Sequence, residues 1–525
     1  MYRKRDKTPE FSRFELSFGG ELREGNRWVV LAELIPWDEI EAKYAACFRE
    51  GNGRPALSVR VALGALVIKE RLRISDEETV EQIQENHYLQ YFLGYESYCD
   101  EKPFDPSLMV HFRKRLSGDV IKGINELVIS REVGKRATAE ADEKGKSDSS
   151  PLASREGEPD NAGTMIVDAT AAPEDMRFPH DVTTLDEARR KTERIIDRMF
   201  EGMPAGSEKP RTYRRIARKR FLLFIRNRKP RKRAVRKALK TQIQYVERNL
   251  GHIEDMAGSV GLGMLSRKEY RDLRVIREYV RQQREMLAKD DRSMPGKILS
   301  ISKPHVRSIA RGKARGMYEF GAKITVSLVD GLSRVERLSW ENYNESTDLK
   351  TQIEEYRKRY GVYPAVVCAD KIFRTRDNLE FCATNNIRLS GPKLGRPYKD
   401  DEKRRERRKI EREDEATRVA IEGKFGEGKR TYGLDCIAMK LKETSETAIQ
   451  MAFFMMNLMK LARDRVRSLF TLSADLVEYV SSRIRFKIQG LHWARTIQYW
   501  GSSGTLTCNE EAARRRPEAR RGHET

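Results

Sequence analysis

Apolar residues recur at helical spacing early in the chain, where Leu57, Val61, Leu63, Leu66 and Val67 mark one face of a helix over 56–72. A fresh helix starts at Ser75, with Glu78 three residues on as its capping partner. A further start is Asp105-Pro106, an acidic cap followed by proline at the first helical position. The helix behind it carries Arg113, Lys114 and Arg115. Short helices, sharp turns and a basic last helix suit a helix-turn-helix DNA reader, and equally a plain helical bundle. From 131 the pattern disappears. Residues 137–161 are rich in Ser, Glu, Asp, Lys and Gly with almost no bulky apolar side chain, so 131–162 reads as a flexible linker.

Strand-like apolar runs follow. Met165-Ile166-Val167 leads into Asp168, and Pro364 to Ala369 leads into Asp370. Between them lies a long helical excursion over 182–292, most periodic at 185–200 and 245–287, then strands over 297–301 and 322–330 and a helix over 347–360. A helix near 374–384, a short strand at 387–390, a charged helix over 401–420 and a helix over 445–467 complete the pattern. Strands mixed with helices indicate an α/β layer structure. The most apolar segment, 448–461, is interrupted by Gln450, Asn457 and Lys460 and reads as a buried amphipathic helix; spanning a bilayer needs about 18 apolar residues.

Composition sharpens the picture. The 525 residues call for more than one domain. Lys+Arg exceed Asp+Glu by 103 to 80, a net charge of +23, which points to a polyanion and first to nucleic acid. The charge is concentrated: 209–240 holds 16 Lys/Arg in 32 residues and no acid, with Tyr213, Phe221 and Phe224 interleaved. Arg214, Arg215 and Arg218 are its candidate phosphate contacts; the alternative is a solvated helix face with its aromatics in the core. The 6 cysteines are scattered with no CxxC pair, which suits free thiols in a reducing compartment, and the basic N-terminus lacks an apolar signal core. No HxxxH or HExxH spacing supports a zinc hydrolase. The glycines around Gly426 lack P-loop spacing, so no nucleotide cofactor is expected. Trp340 and Tyr343 suit either base stacking or a core edge.

The candidate chemistry rests on three acids, Asp168, Asp370 and Glu422. Phosphodiester transfer needs an activated oxygen nucleophile, a stabilised leaving oxygen and neutralised phosphate charge, which two divalent ions about 3.5–4 Å apart supply. Acids at the ends of adjacent strands can converge, and a helix beside them can add the third. Arg418 lies four residues before Glu422 on the same helical face, and Lys429 seven after it; Gly423, Gly426 and Gly428 weaken that helix and leave Lys429 on either a helix or a loop.

Ile166-Val167-Asp168-Ala169-Thr170 resembles the first-acid strand of bacterial insertion-sequence DDE transposases, and Cys368-Ala369-Asp370-Lys371 with Arg374-Thr375-Arg376-Asp377-Asn378 their second-acid segment. Ile387 to Pro392 with Leu394-Gly395-Arg396-Pro397 is a further family signature. Arg418-x3-Glu422-x6-Lys429 matches most of the family's Tyr-Arg-Glu-Lys motif, whose tyrosine position is Glu415 here. Residues 72–80, 90–94 and 104–115 resemble the family's N-terminal domain. The resemblance spans about 28–465 and implies an α/β RNase H-like catalytic domain (163–470) with a large helical insertion (182–292). An all-α helix-turn-helix-like domain (1–130) would precede it, and 471–525 stays unassigned.

It further implies two Mg2+ or Mn2+ ions on Asp168, Asp370 and Glu422, and phosphate contacts by Arg418 and Lys429. Arg374, Arg214, Arg215, Arg218, Arg113, Lys114 and Arg115 are the further DNA-binding candidates. The partners would be DNA (terminal repeats and target) and further copies of the chain in a homo-oligomer, without a membrane, in a bacterial cytoplasm beside the nucleoid. The expected activity is strand cleavage at element ends and strand transfer. The alternatives are a transposase-derived protein that binds without cutting and a related metal-dependent nuclease.

Overall fold

The computed structural model describes residues 21–46, 48, 56–144, 161–310, 318–392 and 401–468. The Leu394–Pro397 signature, linker positions 145–160 and the tail beyond 468 lie outside the described residues. The N-terminal region is helical: α1 (Arg27–Leu34), α2 (Trp37–Ala45), α3 (Val59–Leu72), α4 (Asp76–Glu85), α5 (His87–Phe92), α6 (Leu108–Arg115) and α7 (Gly118–Lys144). Phe92 is fully buried, with Trp28 and Trp37 at centroid distances of 5.4 and 5.6 Å. Ser75 caps α4 as predicted, its hydroxyl accepting from the Glu78 amide at 3.0 Å. The Glu78 carboxylate instead accepts from Gln82. Asp105 accepts from the Ser107 amide at 2.9 Å and leaves Pro106 in the lead-in turn, so α6 begins two residues beyond the proline. Helix α7 runs through 144, so the first part of the segment expected to be linker is helical.

The sheet is mixed. Strands β1 (Thr164–Pro173), β2 (Arg307–Ala310), β3 (Tyr318–Val329), β4 (Leu332–Ser339), β5 (Val366–Ala369) and β6 (Arg388–Leu389) form one six-stranded sheet. β3 is antiparallel to β1 on one edge and to β2 and then β4 on the other. β5 pairs parallel with β1, and β6 parallel with β5. Asp330 and Gly331, both at positive φ, make the two-residue turn between β3 and β4, which keeps the strand twist. One face is packed by α12 (Leu349–Tyr360) and α13 (Arg376–Thr384), burying Met165, Val167, Val367, Ile353 and Phe373. Helix α14 (Asp401–Thr431) lies against β1 and β5. A last helix begins at 442 and buries Phe453, Phe454 and Asn457 completely.

The excursion between β1 and β2 is four helices with their own cores: α8 (Asp181–Phe200), α9 (Arg214–Ile225), α10 (Lys232–Val260) and α11 (Arg267–Lys289). The strand expected at 297–301 is not formed. Ile298 and Ile301 enter this helical core instead, and the Ile298 amide donates to the Gln282 side chain at 2.9 Å. Alternating apolar residues here served a connector laid along helices, where a side-chain amide took the place of a neighbouring strand.

Candidate active site

Parallel pairing of β1 with β5 sets Val167 opposite Ala369, both buried on the α12–α13 side. The next residue on each strand is an aspartate. Alternation along β1 turns Asp168 to the opposite face, toward α14. Asp168 is largely buried; one carboxylate oxygen accepts from the Ala169 amide at 2.8 Å and the other lies 3.5 Å from the Arg418 guanidinium. Burial pushes its pKa up to about 6, against the pull of the Ala169 amide and Arg418, and the charges of Asp370 and Glu345 push the same way. Asp370 ends β5 as the cap of a short 3-10 turn, its carboxylate accepting from the Lys371 amide at 2.6 Å.

The third acid comes from α14. Ile421, Phe425 and Gly428 face inward, and Arg418 and Glu422 share the adjoining stripe. The Arg418 guanidinium reaches Glu422 at 2.9 Å, Glu415 at 2.9 Å and Asp168 at 3.5 Å, and these carboxylates hold it firmly charged. One cation therefore joins the strand acid to the helix acid, and Glu415, at the family's tyrosine position, holds it from the solvent side. The three glycines do not break the helix, which continues to Thr431 and keeps Lys429 on it. Gly428 has a packing reason to be glycine, because a Cβ there would lie 2.6 Å from Leu434 and 3.3 Å from Met456.

Other predicted contacts have structural partners. Arg374 points inward, donating to the carbonyls of Leu389 and Ser390 and tying the end of β6; burial and the neighbouring Arg407 push its pKa down. Arg113 is committed to Asp76 through two hydrogen bonds of 2.9 and 2.6 Å. Arg115 lies over the Phe48 ring, while Lys114 is exposed. Arg214 pairs with Asp197 at 2.8 Å, whereas Arg215 and Arg218 are exposed on α9. Trp340 is buried, its indole donating to Glu446 at 2.8 Å, and Tyr343 is packed under Arg337, so both take the core-edge role. Glu345 was missed by sequence. It sits in the 3-10 turn after Asn344, is held by Lys323 at 2.7 Å, and acts on Asp168 through its charge. Its only signal was an acid beside Tyr343, too common to single out.

Hard carboxylate oxygens suit Mg2+ or Mn2+, and a mostly buried Asp168 beside a second aspartate is an excess of negative charge that a divalent cation would relieve. Asp168 and Asp370 fit that role as a pair. Glu422 is turned to Arg418, and among the described residues no three His, Cys, Asp or Glu side chains come together as a metal site. None of the helices among the described residues is long and apolar enough to cross a membrane.

Two family models match. A transposase DDE domain covers residues 367–459, and a transposase domain of the DUF772 type covers 17–115. An uncharacterised protein, ORF8 of the nfe locus of Rhizobium meliloti, is 32% identical over 153 residues, which is 29% of this chain and 64% of that protein. The chain thus spans just under two thirds of the length of this relative. No solved structure matches. The two matched regions make the chain similar to insertion-sequence DDE transposases at both its helical N-terminal part and the segment 367–459, which contains Asp370 and Glu422.

Proposed function

We propose that this chain, which carries the two regions matched by transposase families, is an insertion-sequence transposase that cuts DNA at the ends of its element and joins the freed ends to target DNA. The observation that carries the proposal is the convergence around Arg418. Asp168 and Glu422, far apart in sequence, meet one guanidinium, and Asp370 adjoins Asp168 across the β1–β5 pair. The sheet order supports an RNase H-like catalytic fold: a central β1 flanked by antiparallel β3 and parallel β5, with the acids at that junction.

Asp168 and Asp370 would hold Mg2+ or Mn2+, with Glu422 the third donor. Bound there, the ions neutralise phosphate charge and activate an oxygen nucleophile. The chain's own residues do the rest. Asp168, mostly buried and with its pKa raised to about 6 despite Arg418, carries a charge that a bound cation would stabilise further. Arg418 counters the carboxylates in the DNA-free protein and is placed to turn to a phosphate when they bind metal, releasing Glu422. Lys429, two turns further along the same face of α14, would position the flanking backbone. Lys114 and the basic helices of the insertion would bind duplex DNA, and two copies of the chain would bring two element ends together.

A purified chain given Mg2+ and duplexes bearing its element's ends is expected to nick at the boundary. Asp370→Asn should keep end binding and lower nicking on the order of 10³-fold, the several kcal/mol a metal-held charge contributes. Full cleavage by that variant would remove Asp370 from the site. The engagement of Glu422 by Arg418 also favours a second reading, a protein that binds ends without cutting. End binding without any Mg2+- or Mn2+-dependent nicking by the unmodified chain would decide for it.

A further inference from the structure

Helix α9 carries a surface that phosphate contact alone does not explain. Its inward side is thin: Ala217 is buried, Phe221 and Phe224 are half-buried, and Arg220 donates to the Tyr245 hydroxyl at 3.0 Å. Its outward arc presents four large aliphatics to solvent, Ile216, Leu222, Leu223 and Ile225, each 44–58% exposed. The insertion has complete cores without them, built from α8, α10 and α11. Single exposed aliphatics are ordinary, but four spread over the outer half of a 12-residue helix form a surface suited to a partner that embraces the helix.

The charges around the patch say which partner. Arg215, Arg218 and Lys219 alternate with the aliphatics on the same arc, by the 100° step of a helix. Arg226, Arg228, Lys229, Arg231 and Arg233 follow directly. The acids that neutralise this hairpin stand at its base: Asp197 takes Lys209 and Arg214, and Asp290 takes Lys232 and Arg236. The outward arginines and lysines have no ion-pair partner among the described residues. A surface of this charge fits a polyanion, and the interleaved aliphatics fit one that offers apolar contact between its phosphates. The major groove of DNA does so through thymine methyls and deoxyribose. At 1.5 Å per residue, α9 is about 18 Å long and about 10 Å across, which a groove about 12 Å wide admits.

We propose that α9 lies in the major groove of duplex DNA, its aliphatic residues against sugars and thymine methyls and its basic residues on phosphates and base edges. The proposal rests on the chain acting on DNA and adds that the insertion reads the duplex, where a backbone clamp would only hold it.

The test uses the full chain and two variants that differ in kind. Leu222→Gln/Leu223→Gln/Ile225→Gln keeps every charge, and Arg215→Gln/Arg218→Gln keeps every aliphatic. The first should weaken binding to end-containing duplex about tenfold, lose protection of guanine N7 from methylation, and leave the slope of log K against log salt unchanged. The second should flatten that slope. Unchanged thermal unfolding of both variants shows that the fold is intact. The inference is overturned if the aliphatic variant binds and protects DNA as the parent does. It is overturned equally if its only effect is on subunit mass in sedimentation, which assigns the patch to a second copy. Binding of the parent to anionic phosphatidylserine vesicles, lost in the aliphatic variant while DNA binding persists, would assign it to a membrane surface and overturn it too. If the parent binds no duplex at all, it is the transposase proposal that fails.

Discussion

Asp168 is the residue at which burial and charge conflict most openly. An aspartate with a folded pKa near 6 and an unfolded value near 3.8 binds more protons in the native state between those values. Its contribution to stability is therefore absent below about pH 4 and becomes a penalty as pH rises toward 6, where it is complete. A shift of that size corresponds to a penalty on the order of 2–3 kcal/mol at pH 8. Asp168→Asn should accordingly unfold later than the parent in urea at pH 8, in chelator, and at nearly the same concentration at pH 4. Equal or lower stability at pH 8 would mean that Arg418 and the Ala169 amide fully offset the burial. Adding Mg2+ should stabilise the parent and leave the variant behind, because only the parent offers the buried charge. Arg418→Gln acts in the other direction: with the guanidinium gone, Asp168 should titrate above 6, visible as a carboxyl carbon shift in NMR. The cost of holding Asp168 ionised is thus met partly by an arginine the same site would need for phosphate.

Glycines in α14 show how far a helix's sequence can mislead about its shape. A Cβ added at Gly423 would meet nothing within 4 Å, while one added at Gly428 would meet Leu434 at 2.6 Å. Gly423→Ala should raise stability by up to about 1 kcal/mol, the ordinary helix propensity gain. Gly428→Ala gains the same propensity and should still lose about 1–3 kcal/mol to overpacking. Urea titrations of the two variants should move their midpoints in opposite directions. Local signals of this kind were partly legible: the Ser75 cap, the strand ahead of Asp370 and the Arg418–Glu422 spacing all depend on residues within four or five positions. What the sequence did not show depends on distant partners. Arg113 looked available because Asp76, its ion-pair partner, lies 37 residues earlier. Arg374 looked like a surface cation because the carbonyls it ties lie on the next strand. The 297–301 alternation fitted a strand until a helix supplied its hydrogen bond. The adjacency of Asp168 and Asp370 required the β1–β5 register, which no local pattern encodes.

Among the described residues, the helical N-terminal region and the sheet belong to one compact unit, and a polar joint holds them. β4 is an edge strand, and its Ser333 would expose unpaired backbone groups. The Asn457 side chain takes the Ser333 amide at 2.8 Å and gives to the Ser333 carbonyl at 2.7 Å, while donating to Asn125 of α7 at 2.9 Å. A carboxamide thereby finishes the sheet edge where another strand would otherwise add. Beside it, Glu126 of α7 binds Arg334 at 2.8 Å and Arg359 at 2.7 Å, and Arg359 reaches Glu336 at 2.6 Å. At the other end, the Arg73 guanidinium donates to the Arg430 carbonyl of α14 at 3.1 Å, a surface contact between the helix that ends at Leu72 and the helix bearing Glu422. Such a joint predicts a single cooperative transition. Amide exchange in α3 and in β1–β3 should fail at the same urea concentration. Asn457→Leu, with the same branched heavy-atom skeleton, would strand the buried Ser333 and Asn125 groups and should lower both midpoints together, at about 1–3 kcal/mol for each group left unpaired. Separate midpoints would show that the helical region unfolds on its own, and would replace a rigid link between end binding and the acids with a tethered one.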